Sequence, residues 1–116
     1  MEKVLVFGHK SPDTDSICST LAMANLQTKL RGEEVIPCRL GELNEETKYA
    51  LKYFEVEAPK FIEKVEEGQE VLLVDHNEFN QSVEGIEKAK ILGVTDHHRI
   101  ANFETSEPLY YTAKPY

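Results

Sequence analysis

Three short apolar runs, each broken off by acids and histidines, constrain the fold of this 116-residue chain more than any other feature. "KVLVFG" (Lys3 to Gly8) gives way to "HKSPDTDS", "EVLLVD" (Glu70 to Asp75) to "HNE", and "AKILGVTD" (Ala89 to Asp96) to "HHR". The runs are largely continuous rather than alternating, which is the pattern of strands buried on both faces. Such strands belong to parallel sheets covered by helices.

The segments between them fit that plan. Asp15 to Leu30 carries Ile17, Leu21, Ala22, Ala24, Leu26 and Leu30 at largely helical spacing. Capping candidates Asp13, Thr14, Asp15 and Ser16 precede or open it, and Gly32 ends it. Glu34 to Leu40 reads as a strand, at an edge because Pro37 lacks an N–H. Asn44 to Phe54 reads as a helix with an asparagine N-cap, and Gln81 to Lys88 as a short helix interrupted by Gly85. Leu109 to Ala113 reads as a late edge strand. Alternation of strand and helix predicts an α/β domain with a mostly parallel open sheet and helices on both faces. Tyr49, Tyr53, Phe54 and Phe61 are expected in the core, and Cys18 and Cys38 as small buried residues.

Composition narrows the function classes. A net charge of −8 argues against nucleic-acid or anionic-membrane partners, and no apolar run approaches the length of a membrane span. The first ten residues lack the pattern of a signal peptide. Two cysteines in neither a CxxC nor a knuckle spacing point to a reduced, cytoplasmic setting.

In an open parallel sheet the loops after the strands share one edge, where ligands bind. That edge would collect His9, Asp13, Asp15, Asp75, His76, Asp96, His97 and His98. Carboxylates with two or more imidazoles suit a transition metal. Four or five candidate ligands exceed the needs of one open ion and point to two ions sharing a carboxylate.

The motifs "GHKSPDTDSICS", "VDHNE" and "DHHR", in that order, resemble the DHH phosphoesterase superfamily. More specifically they resemble the N-terminal domain of the family II inorganic pyrophosphatases, which depend on manganese or cobalt. "RLGELNEETKYALKYFEVEAPK" and "NFETSEPLYYTAKPY" extend the resemblance over essentially the whole chain. It implies hydrolysis of pyrophosphate to two phosphates by a water activated between two Mn²⁺ or Co²⁺ ions, with Mg²⁺ accompanying the substrate. His9 and Asp13 would bind one ion, Asp15 and His97 the other, and Asp75 both. His98 would contact the phosphate, and Arg99 would pair with a phosphate or a nearby acid. Asp96 would ligate weakly or orient His97. His76 and Asn77 would either hold their loop by hydrogen bonds or touch substrate. A homodimer through the sheet edge is also implied.

Set against the family pattern, residues 1–116 form part of the catalytic domain, the part that holds metal. The pattern's substrate-clamping C-terminal domain is lacking, and Val56 to Asp75 leaves no room for a nucleotide-sensing insert. The expectation is weak metal binding and little activity for these residues alone. Two other functions fit the sequence. One is a DHH phosphoesterase for short oligonucleotides or cyclic dinucleotides, revealed by activity on those substrates. The other is a non-catalytic metal-binding or dimerisation module, revealed by a concentration-dependent mass without a metal response.

Overall fold

A computed structural model describes residues 3–96, 103, 105 and 109–113. Six strands form one sheet: β1 (Val4–Phe7), β2 (Val35–Arg39), β3 (Lys60–Phe61), β4 (Glu70–Val74), β5 (Lys90–Asp96) and β6 (Tyr110–Ala113). Two α-helices lie between the early strands, α1 (Thr14–Arg31) and α2 (Glu45–Tyr53). The strand order is β3-β2-β1-β4-β5-β6, and every pairing is parallel. The chain winds outward from β1 in one direction and from β4 in the other. The β1–β4 junction is therefore the topological switch point, where an open α/β sheet leaves a crevice at the carboxyl ends of its strands.

Alternate residues of the strands feed two cores. Val4, Val6, Val35, Leu72 and Val74 pack with Ala24 beneath α1. Phe7, Cys38, Val71, Leu73, Ile91 and Val94 pack on the opposite face with Val65, Val83 and Ile86. Each wholly buried aliphatic or aromatic side chain contributes about 2 kcal/mol. Helical cover exists on both faces, as expected, but on the second face it consists of single 3-10 turns, Phe79–Gln81 and Ile86–Lys88. The short helix expected over Gln81 to Lys88 is thus replaced by two turns. Gly85, at φ 90°, sits between them in a left-handed conformation that a continuous helix cannot contain.

The ends of α1 follow the sequence. Asp13 is the N-cap and accepts the Ser16 N–H at 2.8 Å, while Gly32, at φ 72°, turns its N–H back to Thr28. Asn44 caps α2 in the same way, accepting from Thr47 N–H at 2.7 Å.

Further expectations need correction. Pro37 is not on an edge strand, because β2 lies between β1 and β3. Its missing N–H is tolerated because Val35 and Arg39, of the same parity, face away from β1: Val35 donates its N–H to the Thr28 hydroxyl, and the Arg39 carbonyl accepts the N–H of Ile62. On that side β3 begins only opposite Cys38. The two-residue β3 itself was not expected. Tyr49, Tyr53, Phe54 and Phe61 are exposed rather than core. Thr47 and Leu51 take the buried side of α2, so Tyr49 and Tyr53, two residues out of phase, stack outward with ring centroids 6.2 Å apart. Cys18 is exposed on α1, whereas Cys38 is buried as expected, its thiol pushed up to about 11 by burial.

Candidate metal centre

The loop after β1 is shaped by a close approach. A Cβ on Gly8 would stand 1.8 Å from the Ser16 hydroxyl oxygen, so the first turn of α1 can press against the strand end only because residue 8 has no side chain. This delivers half-buried His9 and the N-cap Asp13 to the crevice. The Asp13 carboxylate thus caps α1 and at the same time faces the crevice.

The loop after β4 is shaped differently. Asp75 is buried and has φ 57°, a left-handed backbone that aspartate tolerates better than most residues and that costs about 1 kcal/mol. Its N–H still reaches the Thr95 carbonyl at 3.0 Å and extends the β4–β5 ladder by one step. His76 and Asn77 are also buried, each only 1% exposed. The His76 Nδ1 lies 3.0 Å from the Val74 carbonyl, which can only accept, so the proton is on Nδ1. Nε2 then accepts from the Ser82 hydroxyl at 2.9 Å. Burial holds His76 below its ordinary pKa, as a neutral structural imidazole requires. Asn77 donates from Nδ2 to Asp96 Oδ2 at 2.8 Å, tying the ends of β4 and β5 together.

These two loops bring three of the expected ligands together. One ligand atom each from His9, Asp13 and Asp75 lies within 4.8 Å of the others. His9 Nε2 stands 3.5 Å from Asp75 Oδ2. The Asp75 hydrogen bond, followed by the charges of Asp75, Asp13 and Asp96, holds His9 above its ordinary pKa against the opposing effect of burial. A cluster that draws a proton onto an imidazole in this way is electrostatically prepared for a cation. One nitrogen and two carboxylate donors fit a first-row transition ion such as Mn²⁺ or Co²⁺.

Asp15, in the first turn of α1, lies outside that trio but lines an adjoining cavity of about 470 Å³ with Asp75 and Asp96. Its floor is apolar, from Ala22, Met23, Leu26 and Val74. Asp96 is buried at the end of β5, one residue before His97. His97, His98 and Arg99 lie outside the described residues. Sequence reasoning missed Ser82, because a lone serine six residues after a histidine carries no signal of their contact.

Comparison with known proteins places these residues in context. The model of the DHH family, N-terminal domain, matches residues 3–116. A protein of Oceanobacillus iheyensis described as a probable manganese-dependent inorganic pyrophosphatase is 63% identical over 115 residues, 99% of this chain and 37% of its own length. Proteins of the same description from an Exiguobacterium species and from Bacillus pumilus are 61% and 60% identical, again over 99% of this chain and 37% of theirs. The crystal structure of a Methanococcus jannaschii protein assigned as a family II inorganic pyrophosphatase superposes with a TM-score of 0.84 at 41% identity, covering 97% of this chain and 34% of that one. The chain thus spans about 37% of the length of the curated relatives it matches.

Proposed function

The chain belongs to the DHH family, as its N-terminal domain, and on that premise we propose that it is the metal-holding part of a manganese-dependent pyrophosphatase that converts pyrophosphate to two phosphates. The convergence of His9, Asp13 and Asp75 at the switch point carries this reading. The relatives' printed descriptions supply the substrate.

In this proposal His9, Asp13, Asp15, Asp75 and His97 hold two ions, Mn²⁺ or Co²⁺, and Mg²⁺ accompanies the substrate. Ions held there supply Lewis acidity toward a water and a phosphoryl oxygen. The chain's own residues do the rest. Asp75, fixed in its left-handed turn, presents a carboxylate to His9 without a change of backbone. Asn77 restrains Asp96 beside the site. His98 and Arg99 contact the phosphate groups. With four aspartates near the crevice, a polyanion is held only where cations intervene, and the rest of the longer protein completes the clamp. Residues 1–116 alone then bind metal measurably but less tightly than the longer protein and turn over little pyrophosphate.

The same reading includes a homodimer through the β3 side of the sheet. Tyr49, Tyr53, Phe54, Val56 and Phe61 are exposed there on α2, the segment after it and the edge strand, and an exposed apolar patch beside an unpaired strand invites pairing. The setting is cytoplasmic. No helix among the described residues is long and apolar enough to cross a membrane, and both cysteines are free. The acidic balance of the chain argues against a nucleic-acid or membrane-surface partner.

A chimera tests the function directly. Residues 1–116 replace the matching part of the Oceanobacillus iheyensis protein, and phosphate release from pyrophosphate is followed with Mn²⁺ present. Activity that Asp75→Asn abolishes is expected. A folded chimera that hydrolyses only oligonucleotides or cyclic dinucleotides, or nothing, contradicts the proposal.

A further inference from the structure

The loops that carry His9 and Asp75 come from strands 66 residues apart in sequence, yet one short segment is bonded to both. In the strap Phe79–Ser82, the Gln81 carbonyl accepts the N–H of Lys10, the residue after His9, at 2.8 Å. The next residue, Ser82, donates its hydroxyl to Nε2 of His76, the residue after Asp75, at 2.9 Å. Ser82 and His76 are each 1% exposed, so neither can exchange this bond for one to water. The His76 ring is further fixed by its Nδ1–H to the Val74 carbonyl, which spans the left-handed Asp75 from one side to the other. Rotation of the ring breaks this bond and releases a restraint on the Asp75 turn.

We propose that Ser82 is a positioning residue for the metal centre: through His76 it locks the Asp75 turn, and through its neighbour Gln81 the same strap sets the spacing between Asp75 and His9. The inference rests on the metal reading above. Partners that orient metal ligands typically change affinity about 10–100-fold when removed. Here the effect reaches the ligands through backbone, so it falls on the placement of Asp75 and His9 together.

The test is Mn²⁺ binding by the 116-residue chain, read by electron paramagnetic resonance, beside the melting temperature without metal. Ser82→Ala should weaken Mn²⁺ binding about tenfold or more and broaden the bound signal. Val35→Ala, a buried truncation near the start of β2, should lower the melting temperature while leaving Mn²⁺ affinity within about twofold, since it pairs with Val4 at the end of the strands away from the loops. Ser82→Thr, which keeps the hydroxyl, should recover most of the affinity. Ser82→Cys, close in size with a weak donor, should fall between, and it decides the matter where Ser82→Ala does not fold. Wild-type affinity in Ser82→Ala or Ser82→Cys, or equal weakening in Val35→Ala, overturns the role of Ser82 and leaves the metal site standing. A wild-type chain that binds no Mn²⁺ overturns the metal reading itself and this inference with it.

Discussion

The two loops that meet at the crevice reach the same place by opposite means. The loop after β1 is open. Its Asp13 is exposed, His9 is half-buried, and its shape comes from a missing side chain at Gly8 and a helix cap. The loop after β4 is closed, with Asp75, His76 and Asn77 all buried and its shape held by hydrogen bonds to Val74, Ser82 and Asp96. The difference teaches where ligand chemistry and folding separate. In the open loop a candidate ligand can be altered at little structural cost, whereas in the closed loop most changes disturb both.

Gly8→Ala should have the largest effect. The new methyl meets the Ser16 hydroxyl oxygen and, at 3.1 Å, the Ser16 Cβ, so a fully buried side chain and the first turn of α1 must shift to admit it. A loss of about 3 kcal/mol, in the upper range for overpacking, is expected in urea unfolding. A loss below about 1 kcal/mol would mean that the first loop is not set by this contact.

Next comes Asn77→Ala, which removes the Asp96 partner and should cost about 2 kcal/mol by the same measurement. Its counterpart in the open loop is smaller. Asp13→Ala should cost about 1 kcal/mol through the lost cap, and Asp13→Ser, which can still cap, less than half of that. Both Asp13 variants should bind Mn²⁺ less tightly by titration. If Asp13→Ser bound it as well as wild type, Asp13 would be a cap and nothing more.

Much of this was legible in the sequence because local rules and tertiary structure agree. Asp13 and Gly32 bound α1 as their chemistry dictates, and the three continuous apolar runs became the central strands β1, β4 and β5. Illegible features depend on neighbours far along the chain. β3 consists of two residues that pair with Cys38 and Arg39 and have no pattern of their own. The outward stack of Tyr49 and Tyr53 follows from which side of α2 meets the sheet, and both sides carry residues able to be buried. The left-handed turn at Asp75 and the reach of Ser82 to His76 have no local signature. His97 and His98, conspicuous as a pair in sequence, lie outside the described residues.

Two smaller effects extend the contrast between exposed and buried positions. Tyr53→Ser with Phe54→Ser, both at exposed sites, should change stability by less than about 0.5 kcal/mol. The same pair should shift a concentration-dependent dimer toward monomer in sedimentation, and an unchanged mass would remove the α2–β3 side from the interface. Least perturbing is alkylation of the native chain. Cys18 should react, while Cys38, buried and with its thiol near 11, should react only on unfolding.

The central claim, that this edge of the sheet is a metal centre, is tested most directly by calorimetric titration of the 116-residue chain and its Asp75→Asn variant with Mn²⁺. Asparagine accepts the left-handed backbone at position 75 nearly as well as aspartate, so the substitution removes charge while sparing the turn. Binding heat in the wild type that is lost in an equally folded Asp75→Asn is the predicted result. Equal binding by both chains, or by neither, would contradict it.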